Sequence, residues 1–304
     1  MPAPLTTRAA NMFSRTIDYA RFLWDFAITR RNRPFVLGLV VTDTCNLACK
    51  HCRVANTYHS SMTYHEVEGH LREQYAKGVR YLYLEGGEPY LWRDGSHRLP
   101  DIAKLAKRIG YYKIHVFTNG TTRLDESLDF TWVSIDGLGD VYQAIRGIEL
   151  EHVLQHVAAF QGPWAVIYTV NTLNYRHVPE FLAFMREQFP AVQVMFYFHT
   201  PYYGIDYLLL SEEQRHAAIA TIAACKRSGL PVMNTHAGLK AMENGDYFHP
   251  TNLWHVIDNT GEYQCCRAID NPEVCKNCGY SSCAEIALAR NWHPGPIRQI
   301  LKTY

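Results

Sequence analysis

The chain reads as α/β: a partial (β/α)6 barrel followed by a small cysteine-rich C-terminal module. Three observations predict this. Six short apolar runs alternate with helical stretches between Phe35 and Ser228. The nine cysteines fall mostly in two tight groups, not along the apolar pattern. The composition, 47% hydrophobic and 19% charged over 304 residues, is that of a folded chain. Disorder needs fewer apolar and more charged residues.

Residues 1–34 precede the first strand. Within them, Met12 to Asn32 reads as an amphipathic helix. Phe13, Ile17, Ala20, Phe22, Leu23 and Phe26 form a stripe, and Arg15, Arg21, Arg30 and Arg31 fall elsewhere. Such a stripe packs on a body or, with its basic flank, makes peripheral contact with a membrane surface. Residues 35–230 form the barrel. The expected strands are Phe35–Val41, Tyr81–Glu85, Lys113–Thr118, Phe130–Ile135, Ala165–Asn171 and Val192–His199. The expected helices are Tyr64–Lys77, Asp101–Ile109, Glu149–Phe160, Val178–Phe189 and Ser211–Ser228, with Ser211 as N-cap. Strand–helix alternation implies parallel strands with right-handed crossovers, and a site at the strands' C-terminal ends. Residues 231–304 form the accessory module. Leu253–Ile257, a turn at Asp258-Asn259-Thr260-Gly261, and Glu262–Cys266 read as a hairpin.

Several function classes are excluded or disfavoured. A formal net charge of +1 argues against nucleic-acid binding. The longest apolar run, Pro34 to Val41, is strand-sized, whereas a spanning helix needs about 20 residues. No signal peptide is legible, so a cytoplasmic location is expected. Thiols in a reducing compartment are metal ligands or core residues before they are disulfides.

Cys45-Asn-Leu-Ala-Cys49-Lys-His-Cys52 is a C-x3-C-x2-C loop directly after the first strand. Three thiolates serve three irons of a 4Fe–4S cluster, which normally takes four cysteines. The fourth iron is then open, and an open site marks a catalytic centre. Gly86-Gly87-Glu88-Pro89 ends the second strand, where glycines permit close backbone approach.

Together these motifs resemble the radical S-adenosylmethionine enzymes, over roughly residues 35–210. The resemblance implies a partial (β/α)6 TIM-like barrel with a small C-terminal iron–sulfur module. It implies S-adenosylmethionine on the open iron and a flavodoxin- or ferredoxin-type electron donor. It places cofactor contacts at Gly86, Gly87, Glu88, Pro89, Asn119, Ser134, Asp136, Arg146 and Asn171. By residue type alone, Ser134, Asp136 and Asn171 are equally strand-end caps, and Arg146 reads as a solvated helix charge.

In the second group, Gly261-x3-Cys265-Cys266 is followed by Cys275-x2-Cys278 and Cys283. The pattern resembles a truncated SPASM or twitch module, which implies an auxiliary 4Fe–4S cluster. Cys266, Cys275, Cys278 and Cys283 suffice for it. Cys265 is then a spare or replaces its neighbour, because adjacent side chains in an extended segment point to opposite faces. A structural zinc fits the same spacing. Cys225, in an apolar helix, reads as a buried small hydrophobe.

The activity implied is reductive cleavage of S-adenosylmethionine and hydrogen abstraction from a substrate. Candidate pocket residues are Tyr90, Trp92, His199, Tyr202, Tyr203 and Tyr207. Only 34 residues precede the first strand, and a leader-peptide recognition domain would need about 80. A small-molecule or lipid-like substrate is therefore expected. A peptide-modifying enzyme and a non-catalytic iron–sulfur carrier are the alternatives.

Overall fold

The computed structural model describes residues 15–31, 33–202, 204, 206–245 and 247–303. Strand β1 (Val36–Thr42) lies inside the sheet, and its aliphatic run explains why. Leu37, Leu39 and Val41 alternate onto one face and are fully buried there. They meet Leu82 and Leu84 of β2 (Tyr81–Gly86), and Ile114 and Val116 of β5 (Lys113–Thr118). Helices α2 (Tyr64–Ala76) and α3 (Leu99–Ile109) cover this face with Val67, Leu71, Ile102 and Ala106. β3 (Arg93–Asp94) and β4 (His97–Arg98) form a separate two-stranded ribbon.

The alternation continues through β6 (Phe130–Ser134), β7 (Trp164–Val170) and β8 (Val194–Phe198). Val166, Tyr168, Val194 and Phe196 face outward against α6 (Val178–Gln188) and α7 (Glu212–Arg227). The other face is aromatic: Tyr81, Tyr83, Trp132, Ile167 and Met195 point into the barrel. Capping decides where helices start. Thr63 with Glu66 caps α2, and Ser211 with Gln214 caps α7, each in a reciprocal box. α4 (Gly139–Arg146) and α5 (Glu151–Ala159) fill the β6–β7 crossover. Too short for a periodic pattern, α4 escapes the sequence reading.

The sheet has eight strands, not six, in the order β10-β9-β1-β2-β5-β6-β7-β8. The hairpin β9 (Trp254–Asp258) and β10 (Gly261–Gln264) is part of it. β9 runs parallel to β1, from Val36↔Trp254 to Leu39↔Ile257, and β10 returns antiparallel. Residues 231–303 also reach the opposite edge. Met233 N donates to Val194 O at 2.8 Å, and Phe198 N to Gly279 O at 2.8 Å. Helices α8 (His236–Asn244), α9 (Pro272–Lys276), α10 (Ser281–Arg290) and α11 (Pro294–Thr303) were not legible in the sequence. In α10 the buried residues include Ser281, Glu285 and Arg290, so polarity does not mark its faces.

Helix α1 (15–23) continues into a π-helical turn, Trp24–Ile28. The start of the expected helix, Met12 to Ser14, and its end at Asn32 lie outside the described residues. One face closes the base of the barrel. Phe22 stacks on Phe35 with ring centroids 4.2 Å apart, and Phe26 is buried. The Asp18 carboxylate accepts from Arg80 Nε at 2.8 Å and from the Tyr112 hydroxyl. The opposite face exposes Ile17, Trp24 and Ile28. No helix among the described residues is long and apolar enough to cross a membrane. Truncating a buried Phe costs about 3–5 kcal/mol. Phe26→Ala should therefore lower the denaturant midpoint clearly, and an unchanged midpoint would deny α1 and its π-helical turn their role as the barrel's plug.

Candidate active site

The thiol loop leaves β1 and is organised by a carboxylate the sequence did not single out. Asp43 accepts from the backbone N–H groups of Tyr58, His59 and Ser60 at 2.6, 2.9 and 2.7 Å. Asn56 then holds the first cysteine from both sides. Cys45 N donates to Asn56 Oδ1 at 2.8 Å, and Asn56 Nδ2 donates to Cys45 O at 3.0 Å. Asn56 has φ 57°, a conformation Asn tolerates better than most residues. Cys45, Cys49 and Cys52 are half-buried on this loop. Burial pushes the Cys45 thiol up, and the Cys49 thiol up to about 11.

The glycine loop packs against the same segment. Gly87 N donates to Thr42 O and Glu88 N to Thr44 O, both at 2.9 Å. A Cβ at Gly86 would lie 2.2 Å from Thr42 O, and one at Gly87 2.4 Å from Asp43 O. The glycines are thus required first for the approach of two loop backbones, before any ligand is considered. Pro89 follows as the start of a short 3₁₀ turn and is buried. Glu88 turns inward and is fully buried. It accepts from Thr118 Oγ1 at 2.8 Å, Asn119 N at 2.7 Å and Tyr90 N at 3.1 Å. Burial pushes its carboxyl up to about 7. The three groups all donate, so they suit its ionised form. Asn119 Nδ2 in turn reaches Cys45 Sγ at 3.7 Å and Asn46 Oδ1 at 3.0 Å.

Arg146 is not solvated. It is buried, and its Nε and Nη2 both donate to Asp136 Oδ2, at 2.7 and 2.6 Å. Its Nη1 lies 4.0 Å from Cys49 Sγ. The residue's place at the end of a short helix hid this, because burial there depends on how α4 docks. Lys50 N donates to Ile145 O at 2.9 Å, tying the thiol loop to α4. His51 sits beside this pair, with Nε2 3.9 Å from Asp136 Oδ2. Burial lowers its pKa to about 4, so the ring is neutral, and its buried Nδ1 has no hydrogen-bond partner among the described residues. Ser134 is half-buried at the end of β6. Asn171 is engaged locally: its Nδ2 donates to Thr169 O and its Oδ1 accepts from Leu173 N.

The C-terminal thiols converge. Hydrogen bonds link Cys265 to Cys266 and to Cys283, and Cys278 to Cys283. Cys265 thus lies in hydrogen-bonding contact with two of the other thiols. Its φ of 64° breaks the extended geometry, so adjacent sulfurs no longer point apart. The Cys266 and Cys283 thiols, as donors, pull Cys265 down to about 3, and Cys283 with His249 pulls Cys278 down to about 5. Cys275 Sγ instead lies 3.8 and 3.7 Å from the carbonyls of Ala268 and Ile269. Among the described residues no group of three is preset around one metal ion. Thiolates of a cluster bind separate irons and need not meet at one point.

The pocket candidates divide. Trp92 is core: it is buried and donates Nε1 to Met62 O at 2.8 Å. The Tyr90 hydroxyl accepts from Asp125 N at 3.1 Å. His199 is buried with Nε2 3.0 Å from Asp206. Tyr207 is exposed, and Tyr203 lies outside the described residues. Tyr202 lines a cavity, beside Gly86, Gly87 and Cys265, with its hydroxyl on that of Tyr280. Cys225 is buried among the aliphatics of α7, as expected.

Fold and site define a class: a βα barrel carrying three thiols after its first strand and a glycine loop after its second. Residues 39–185 match the model of the Radical SAM superfamily, and the chain carries a radical SAM domain. It is 28% identical over 236 residues to GTP 3',8-cyclase of Marinobacter nauticus, covering 71% of this chain and 62% of that protein. It is 28% identical over 193 residues to pre-heme d1 synthase of Dinoroseobacter shibae, covering 58% and 46%. The chain thus spans less than two thirds of these relatives' lengths. Among solved structures, Streptococcus suis SuiB bound to precursor peptide SuiA superposes with a TM-score of 0.62 at 13% identity, covering 85% of this chain and 66% of that one. Native anSMEcpe with bound AdoMet superposes at 0.61 and 15% identity, covering 81% and 79%. These two likenesses show a shared fold.

One carboxylate in the barrel carries a pH prediction. Burial pushes Glu85 up to about 7 from an ordinary 4.5, with Arg267 opposing. Between those values the folded chain holds a proton that the unfolded chain has lost. The contribution to stability is full below the unfolded pKa and is lost as pH rises through the folded one. Thermal melts from pH 5 to 8 should fall more steeply for the wild type than for Glu85→Gln, and parallel curves would refute the shift.

Proposed function

We propose that the chain is a radical S-adenosylmethionine enzyme acting on a small-molecule or lipid-like substrate. The observation that carries it is the packing of the three-thiol loop on the Gly86–Gly87 backbone, with Arg146 4.0 Å from Cys49 Sγ. Three soft donors beside a buried cation fit a 4Fe–4S cluster with one open iron. Bound there, the cluster and S-adenosylmethionine would supply reductive one-electron cleavage of the sulfonium and, through it, abstraction of a hydrogen atom from the substrate.

The chain's own residues have distinct parts. Cys45, Cys49 and Cys52 hold the cluster. Arg146 offsets charge on the Cys49 thiolate, and Asp136 keeps the guanidinium in place. Gly86, Gly87, Glu88 and Pro89 form the wall against the methionine end of the cofactor, with Asn119, Ser134, Asp136, Arg146 and Asn171 around the same mouth. The barrel rings exclude water from the reacting atoms. The electron comes from a flavodoxin- or ferredoxin-type donor.

Cys266, Cys275, Cys278 and Cys283 hold an auxiliary 4Fe–4S cluster, with Cys265 beside them as a further donor. The four linked thiols, with Cys275 close enough to feel the charge of Cys278 and Cys265, fit such a cluster. It serves in electron transfer or in binding substrate. The small-molecule reading is supported by relatives named for GTP and for pre-heme d1, and by an interior cavity of about 260 Å³. A peptide substrate is the second reading, favoured by the fold of a SuiB structure bound to a precursor peptide.

Anaerobic reconstitution should give about eight irons per chain if both sites carry four-iron clusters. Four irons with one zinc would refute the auxiliary cluster. Replacing Cys45, Cys49 and Cys52 together by Ala should abolish formation of 5′-deoxyadenosine from S-adenosylmethionine. Persistence of that product, measured by chromatography, would refute the catalytic assignment. The Cys275→Ala, Cys278→Ala double variant should keep some cleavage but lose substrate product.

A further inference from the structure

Inside the barrel, under α10 and α11, lies the cavity of about 260 Å³. Tyr83, Phe117, Trp132, Tyr197 and Trp254 supply its rings, and Glu85 stands among them. A second cavity, of about 130 Å³, adjoins it through Glu85, Val256, Cys265 and Tyr280, and extends to Gly86 and Gly87. Glu85 is thus common to the space beside the glycine loop and the space beside the C-terminal thiols.

Four observations single out this carboxylate. First, among the described residues no hydrogen bond or ion pair reaches it, and the half-buried residue opens into both cavities. Second, the charged residues lining the larger cavity are both acids, Glu85 and Glu285. Glu285 is occupied, since it accepts from Thr235 N at 2.6 Å and Thr235 Oγ1 at 2.8 Å. Third, the nearby cation Arg267 is ion-paired to Asp258 Oδ2, with Nη2 at 2.8 Å. Fourth, β1 yields space to it. A Cβ at Gly38 would stand 3.0 Å from Glu85 Oε1, so a glycine in mid-strand leaves the carboxylate its room.

A carboxylate set among rings without a partner is poorly solvated, and a cation offsets that cost. Aromatic faces attract cations as well. We propose that Glu85 and the ring-lined cavity bind an organic cation, a primary ammonium or guanidinium on an apolar stem, as the recognised end of the substrate. This rests on the radical-enzyme reading and narrows its substrate class. The apolar stem lies along the rings of β5, β6 and β8, and the charged end meets Glu85. Neither sequence motif nor resemblance marks Glu85, since its importance comes from the absence of other partners around it.

Calorimetric titration of the anaerobically reconstituted chain at pH 8 tests this, with phenethylammonium and its neutral isostere 2-phenylethanol as probes. The wild type should bind the amine at least about tenfold more tightly, the worth of one charged hydrogen bond. Glu85→Gln should bring the two probes to parity, and Glu85→Asp should keep a preference for the amine. Iron content and a thermal melt report folding, and the Asp variant keeps the test decisive if the Gln variant is unstable. Equal affinities in the wild type, no binding of the amine, or a preference that survives Glu85→Gln would overturn the proposal. A chain that cleaves S-adenosylmethionine yet shows no preference refutes the cation site alone. A chain that prefers the amine yet cleaves nothing refutes the radical reading alone.

Discussion

The contact of two backbones, Gly86–Glu88 on Thr42–Thr44, organises the centre of this molecule. Gly87 N and Glu88 N donate 2.9 Å bonds across it. No side chain fits between, since a Cβ at Gly86 would lie 2.2 Å from a carbonyl oxygen. The contact ties the thiol loop to the end of β2. It also aims Glu88 at Thr118 and Asn119, and Asn119 returns to Cys45. One closed path therefore runs through the ends of β1, β2 and β5. Displacing any member shifts the position of a cysteine.

A second path handles charge. Asp136 and Arg146 form a buried pair whose cost is offset by two short N–H donations and by Thr169 N on the other carboxylate oxygen. The guanidinium then faces Cys49, where negative charge would develop on metal binding. His51 stays neutral beside it, so no second cation competes. The same helix, α4, also ties its carbonyl at Ile145 to the thiol loop. Structure and electrostatics are delivered by one short element.

The C-terminal region has two jobs that its sequence keeps apart. Its hairpin is barrel sheet, hydrogen-bonded beside β1. Its helices and thiols lie along the opening between the two sheet edges, with Gly279 on β8. The cavity exists because these pieces roof the aromatic interior without filling it. Much of the fold was legible beforehand. Lys113–Thr118 matches β5, and the other barrel strands fall within two residues, because alternation is a local property. The hairpin's membership of the sheet was not, because strand partners are chosen by packing over long sequence distances.

By itself the sequence determined the thiol loop, the glycine loop and the order of barrel elements, because motif spacing and periodicity are local. Tertiary structure alone decided that Arg146 is buried against Asp136, that Trp92 is core, and that Cys265 joins its neighbours through a left-handed turn. It alone placed Glu85 in a ring-lined cavity without a hydrogen-bond partner among the described residues. The physical reason is common to these cases. Burial, pairing and the lack of a partner depend on what the rest of the chain brings alongside, and residue type does not encode that.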